Sequence, residues 1–185
     1  MNENIKARDS VSARLLARPA MSEIIIAPHF AFDVECRRDG KLIWVDRCEN
    51  TVMTGGKNDL LDKYFAGSSY TAAWYLGLIQ SDSYSAIAAG DTMSSHAGWQ
   101  ECTSYDEAAR VTMAFSSASS GSKALSSALA YTISATKTVK GCFATTVSTK
   151  GGTTGILYSA GLFTGGDRAV VDNDVISVSG SWSAA

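Results

Sequence analysis

AFDVECRRDGKLIWVDRCENTVMTGGKNDLLDKYFAG, residues 31–67, is the stretch from which the fold is read. Phe32, Val34 and Cys36 alternate with Asp33 and Glu35, the period-two pattern of a strand with one face buried. Asp39-Gly40 marks a tight hairpin turn, because glycine takes positive φ at little cost. A second strand is expected over residues 41–48. The chain then crosses residues 50–57 and enters a short helix, with Asn58 or Asp59 as its cap. Leu60, Leu61, Tyr64 and Phe65 recur at helical spacing and form an apolar stripe expected to cover one open end of the β body. Gly67 stands where a C-terminal cap glycine would.

Outward from this stretch the pattern is β-rich. Trp74, Leu76 and Leu78 alternate with Tyr75, Gly77 and Ile79, so both faces are apolar and the strand is expected to be central. Another strand is expected over residues 99–103. Val111, Met113 and Phe115 alternate, as do Leu129, Tyr131 and Ile133. Residues 139–147, the set Ile156, Tyr158, Ala160 and Leu162, residues 169–171, and the set Ile176, Val178, Gly180 and Trp182 complete the series. Gly-, Ser- and Asp-rich turns separate these segments, and Pro19 and Pro28 are the two prolines of the chain. About nine or ten short strands of this kind predict a mainly β fold, a two-sheet sandwich of jelly-roll or Greek-key type. The expectation adds one short helix after the first hairpin and an N-terminal arm. Residues 1–27 form the expected extended arm and residues 28–185 the sandwich domain. With 185 residues, such a body can bury a core without a disulfide or metal staple.

The arm differs in charge from the rest. Residues 1–20 carry Lys6, Arg8, Arg14 and Arg18 against Glu3 and Asp9, whereas the chain as a whole has a net charge of −2. Ser10 can cap a short helix, VSARLLAR, which Pro19 stops. Lys6, Arg8, Arg14, Leu15, Leu16 and Arg18 are the candidate partner-binding residues, ordering on an acidic neighbour; the bland alternative is a frayed terminus. The weak net charge argues against a nucleic-acid binder. No apolar run is long enough to span a bilayer and no signal peptide is visible, so the product is expected in the cytoplasm of the cell that makes it.

The sequence carries no familiar catalytic motif. Neither H-E-x-x-H nor G-x-S-x-G occurs, and Gly55-Gly56-Lys57 lacks the leading glycine and the Ser/Thr of a phosphate loop. The glycine-rich residues 150–155 read as a hairpin turn. Asp91, His96 and Glu101 are close in sequence, with Ser94, Ser95 and Cys102 as nearby nucleophiles, yet a simpler account has Asp91 cap a turn and His96 pack beside Trp99. Asp106 and Glu107 read as surface charge. Cys36, Cys48, Cys102 and Cys142 are far apart in sequence, lack C-x-x-C spacing, and are expected as reduced, mostly buried thiols; Cys36 and Cys48 sit on the two arms of the hairpin, which could bring them near each other. No metal or other cofactor is expected. Trp44, Trp74, Trp99 and Trp182 read as core, with a subunit interface or a sugar platform as alternatives.

One ordered set of motifs carries a resemblance. The order F-x-V-x-C-x-x-D-G-K-x-x-W-x-D-x-x-x-N-x-V, then G-x-N-D-L-L-D-x-Y-F, resembles a family of small virion proteins of tailed bacteriophages. TAAWYLGLI (71–79), AAGDTMSSHAGWQE (88–101), YDEAAR (105–110) and KGGTTGILYSAGLF followed by GGD (150–167) extend it to roughly residue 30 onward. The resemblance implies a non-enzymatic structural protein of the virion. The first expectation is a capsid decoration or cement protein on the capsid surface. Its implied partners are the major capsid protein and itself, as a dimer or trimer, with no direct nucleic-acid or membrane contact. A tail, collar or fibre-base subunit is the alternative, and a small wall- or capsule-degrading enzyme is a remote third.

Overall fold

The computed structural model describes residues 28–183 apart from 66, 68 and 70–72. The expected arm, with Lys6, Arg8, Arg14, Leu15, Leu16 and Arg18, lies outside the described residues. In chain order the elements are β1 (His29–Arg38), β2 (Lys41–Val52), α1 (Thr54–Phe65), β3 (Tyr75–Gln80), β4 (Gln100–Cys102) and β5 (Val111–Thr112). They continue with β6 (Ser122–Ala124), β7 (Leu129–Thr132), β8 (Lys137–Thr145), β9 (Leu157–Leu162), β10 (Arg168–Val170) and β11 (Val175–Ser183). The mainly β class and the helix after the first hairpin stand as expected. The strands join into one antiparallel sheet in the order β4-β3-β8-β9-β2-β1-β11-β6, with β10 on β8, β5 on β3 and β7 on β11.

β2 is the strand that makes the sheet continuous. Its residues from Lys41 to Asn50 pair with β1, while Thr51 and Val52 pair with Ala160 and Ser159 of β9. The β1–β2 turn has φ of 49° at Asp39 and 75° at Gly40. Two successive positive values are what a two-residue hairpin with the right strand twist demands. A bulge follows at once: Cys36 faces Trp44 and Arg37 faces Leu42, so Ile43 is the extra residue.

Period-two alternation then builds the core. Phe30, Phe32, Val34 and Cys36 of β1, Tyr131 of β7, and Ile176 and Val178 of β11 share one apolar cluster with Leu76 and Leu78 of β3 and Cys142 and Ala144 of β8. The Tyr131 hydroxyl donates to the Leu76 carbonyl at 2.8 Å, tying the β7–β11 part of the sheet to the β3–β8 part through this core. A second cluster lies on the other face of β3, β8 and β9: Ile79, Phe143, Leu157 and Ala160 pack against Met53, Met93 and Trp99. The connection between β3 and β4 supplies Met93 and Trp99, which is why these strands are apolar on both faces. Each fully buried side chain of this size contributes roughly 1.5–3 kcal/mol.

Three expectations need correction. The helix begins earlier than residues 58–59: the Met53 carbonyl accepts the first helical bond from Lys57 N–H at 3.0 Å, so Asn58 and Asp59 lie inside it. The poor helix former Gly56 belongs to the first turn because a Cβ there would lie 2.5 Å from the Tyr158 carbonyl oxygen, and only glycine lets α1 sit on β9. Second, the apolar stripe of α1 does not cover the body. Gly56 is the buried residue of the helix, and Leu60, Leu61, Tyr64 and Phe65 are exposed. Third, Cys36 and Cys48 do not meet. Cys48 approaches Cys142 of β8 instead, sulfur to sulfur at 3.2 Å, and all four cysteines are free and buried. In addition, the alternation expected over residues 111–115 yields only the two-residue β5, preceded by an inward-turned Arg110.

Candidate functional site

The loop between β3 and β4 carries Asp91 and His96, β4 carries Glu101, and each has a separate structural task. Asp91 accepts the Trp99 indole N–H at 2.9 Å and the Ala88 backbone N–H at 3.0 Å through the same oxygen. His96 stacks on Trp99 with ring centres 4.1 Å apart, and its Nδ1 lies 3.0 Å from the Trp99 carbonyl. Glu101 is bound to Arg110 through both oxygens, at 2.9 and 2.7 Å, and also accepts Gly151 N–H at 2.9 Å. Arg110 also donates to the carbonyls of Val147 and Gly152, at 2.9 and 2.8 Å. The two carboxylates thus hold a loop and a hairpin together. Cys102 is buried, and burial pushes its thiol above the ordinary range, which disfavours the nucleophilic thiolate. Met93, His96, Glu101, Thr103 and Thr153 line a recess of about 190 Å³ beside this network.

Glu107 is not simple surface charge. Its carboxylate accepts Thr132 N–H at 3.1 and 3.2 Å, while Asp106 stays exposed. Lys150 anchors the same region by donating to the carbonyls of Tyr105 and Glu107, both at 2.7 Å. The glycine-rich segment from Lys150 is therefore a braced connection between β8 and β9. Trp99 is fully buried; Trp44, Trp74 and Trp182 pack half-buried against the main core. Trp182 meets Phe30 edge-on at 4.5 Å, and Trp74 meets Tyr158 edge-on at 4.7 Å. Among the described residues, no group of three or more His, Cys, Asp or Glu is placed to hold a metal ion, and no helix is long and apolar enough to cross a membrane.

The surface departs from a satisfied body at two places. On the β1–β2 hairpin, Leu42, Ile43 and Val45 are exposed, Val45 to 60%. On α1, Leu60 and Leu61 are exposed, with Tyr64 at 79% and Phe65 at 77%. The hairpin patch is held rigidly. Asp46, inward from Val45, accepts Arg168 Nε at 2.6 Å, Gly165 N–H at 2.9 Å and the Thr164 hydroxyl at 3.1 Å. Burial works against its charge, but these bonds prevail and hold its carboxyl below the ordinary range. Among the described residues, strand pairing on the far side of β2 is confined to Cys48, Thr51 and Val52. Residues 41–45 thus present an open edge. Beside it, Asp33, Glu35, Val45, Arg47, Ser177 and Ser179 line a shallow groove of about 670 Å³, where Arg47 pairs with Asp33 at 3.2 Å and Glu49 at 3.1 Å.

The hairpin patch has a signal in the sequence. In LIWV, residues 42–45, apolar residues fill both parities, so a strand with one wet face must expose some of them. The α1 patch has none, because an amphipathic stripe reads the same whether it faces inward or outward.

No family model, no curated protein and no solved structure matches this chain.

Proposed function

We propose that this protein is a non-enzymatic structural component of a tailed-phage virion, a head decoration or cement protein that binds across neighbouring major capsid protein subunits. The observation that carries the proposal is the β1–β2 hairpin: an open strand edge with Leu42, Ile43 and Val45 facing outward, braced from below by the Asp46–Arg168 pair. An unpaired apolar edge is a liability in a free protein and an asset in one that is covered by a neighbour. The order of motifs from residue 30 onward supports the class of partner. A protein that binds only the assembled lattice stabilises that lattice by mass action, and repetition over many equivalent joints adds avidity.

The body suits this work if it is stiff. The β1–β2–β11 and β3–β8–β9 parts of the sheet share one core, which supports a two-layer sandwich of jelly-roll or Greek-key type. Self-association into a dimer or trimer would match symmetry axes of a shell.

The test is to count copies in purified particles by quantitative mass spectrometry. Hundreds per particle support decoration. A few to a few dozen move the protein to the tail, collar or fibre base, and absence from finished particles overturns the virion proposal. Val45→Asp in a folded protein should lower occupancy; unchanged occupancy removes the hairpin from the contact.

A further inference from the structure

The helix α1 rests on the body at its first turn and along the side that carries the largely buried Asp59–Lys63 pair, and it turns an apolar face outward. Met53 N–H donates to the Tyr158 carbonyl at 2.8 Å and Thr54 N–H to the Ala89 carbonyl at 3.0 Å, and Gly56 seats on Tyr158. Further along, Leu60, Leu61, Tyr64 and Phe65 project from the body, with the Tyr64 and Phe65 rings edge to face at 4.9 Å. Two largely exposed aromatic rings and two half-exposed leucines present roughly 400–500 Å² of surface, given about 150–250 Å² for each fully accessible ring. A patch of that size matches the largest on a typical folded monomer, and such patches are often functional.

The segment that precedes β1 is within reach of this face. Phe30 of β1 pairs with Asn50 of β2, and β2 runs on to Val52, where α1 follows at Thr54. The Phe30–Asn50 pair is only a few residues from residue 28 along β1 and from Thr54 along β2, so the chain before residue 28 starts within reach of α1, and 27 further residues precede it. Within them, VSARLLAR places Val11, Leu15 and Leu16 at i, i+4 and i+5, one face of a helix, with Arg14 and Arg18 alongside. Such a segment is too short to be helical alone and needs an apolar surface. The 11 residues between Leu16 and Pro28 let the chain reach about 40 Å when extended. The 12 residues of α1 span about 18 Å. Tethering supplies an effective concentration in the millimolar range, so even a weak contact is populated.

We propose that residues 10–18 of the same chain cover the exposed face of α1, setting Val11, Leu15 and Leu16 against Leu61, Tyr64 and Phe65, with the arginines beside the exposed Asp62. The inference does not depend on the virion proposal. It gives the N-terminal segment an internal seat where the sequence pointed to an acidic neighbour.

Cysteine cross-linking in the full chain tests it, since the four native thiols are buried. Leu15→Cys with Leu61→Cys should form an intramolecular disulfide under mild oxidation at low protein concentration, about tenfold faster than Leu15→Cys with Val45→Cys. In parallel, Leu15→Asp with Leu16→Asp should speed amide exchange at residues 60–65 several-fold while the strands keep their protection. Equal linking rates for the two pairs, links only between chains, or unchanged exchange in α1 would each overturn the proposal.

Discussion

Arg110 and Glu101 form a two-pronged ion pair in which the arginine side chain is wholly buried and the glutamate is 8% exposed. The pair joins β4 to the segment before β5, and its further bonds to Val147 and Gly152 reach the β8–β9 connection. The Arg110 guanidinium also lies over the Phe143 ring, 5.2 Å from its centre. A charge so placed is tolerable only while its partners are present.

Glu101→Gln should therefore destabilise the fold by about 3–5 kcal/mol, because it strands a buried guanidinium. Glu101→Leu combined with Arg110→Met should cost clearly less than Glu101→Gln alone. Urea unfolding midpoints of the three proteins measure this, and a double substitution worse than the single one would contradict it.

Acid should loosen the β1–β2 and β10–β11 region first. The Arg38 guanidinium holds the Asp174 carboxyl below the ordinary range, and Val171 N–H assists against the opposing effect of burial. Asp167 is lowered chiefly by Lys140, and Asp46 is lowered as described above. A carboxyl lowered by folding stabilises the native state fully above its unfolded pKa, near 3.9 for aspartate, and that stability is lost as pH falls through the folded value. Stability should thus be flat through neutral pH and decline below about pH 4. Asp174→Asn should lower stability at pH 7 and flatten the decline; a steeper acid limb in that variant would refute the assignment.

Gly56→Ala tests the seat of α1. The added methyl meets the Tyr158 backbone, and overpacking of this kind costs about 1–3 kcal/mol. The greater helix propensity of alanine, about 1 kcal/mol, works in the opposite direction. Hydrogen exchange should accelerate in α1 and at the Met53–Tyr158 bond while β1 and β11 stay protected. A variant more stable than the parent would mean that α1 does not rest on β9.

Thiol chemistry should be silent in the native state. Burial pushes the Cys36 thiol up to about 12, and burial together with the neighbouring Cys48 raises Cys142 well above the ordinary range. At pH 8, a thiol-specific reagent should label none of the four cysteines within minutes, and all four in denaturant. Rapid native labelling of Cys48 or Cys142 would show that the sheet opens there.

Local order was legible along the chain because it depends on neighbours in sequence. Alternation in Phe32-Val34-Cys36 and Leu129-Tyr131-Ile133, the Asp39-Gly40 turn and the two-sided strand at residues 75–79 each follow from side-chain period and backbone sterics. Which surfaces those elements meet depends on contacts far apart in the chain. Only the tertiary structure joined β2 to β9 to make one sheet, set Cys48 against Cys142, turned Arg110 inward to Glu101, and left Tyr64 and Phe65 facing outward. The physical reason is that periodicity states that a face is apolar, whereas burial depends on what the rest of the chain brings to it.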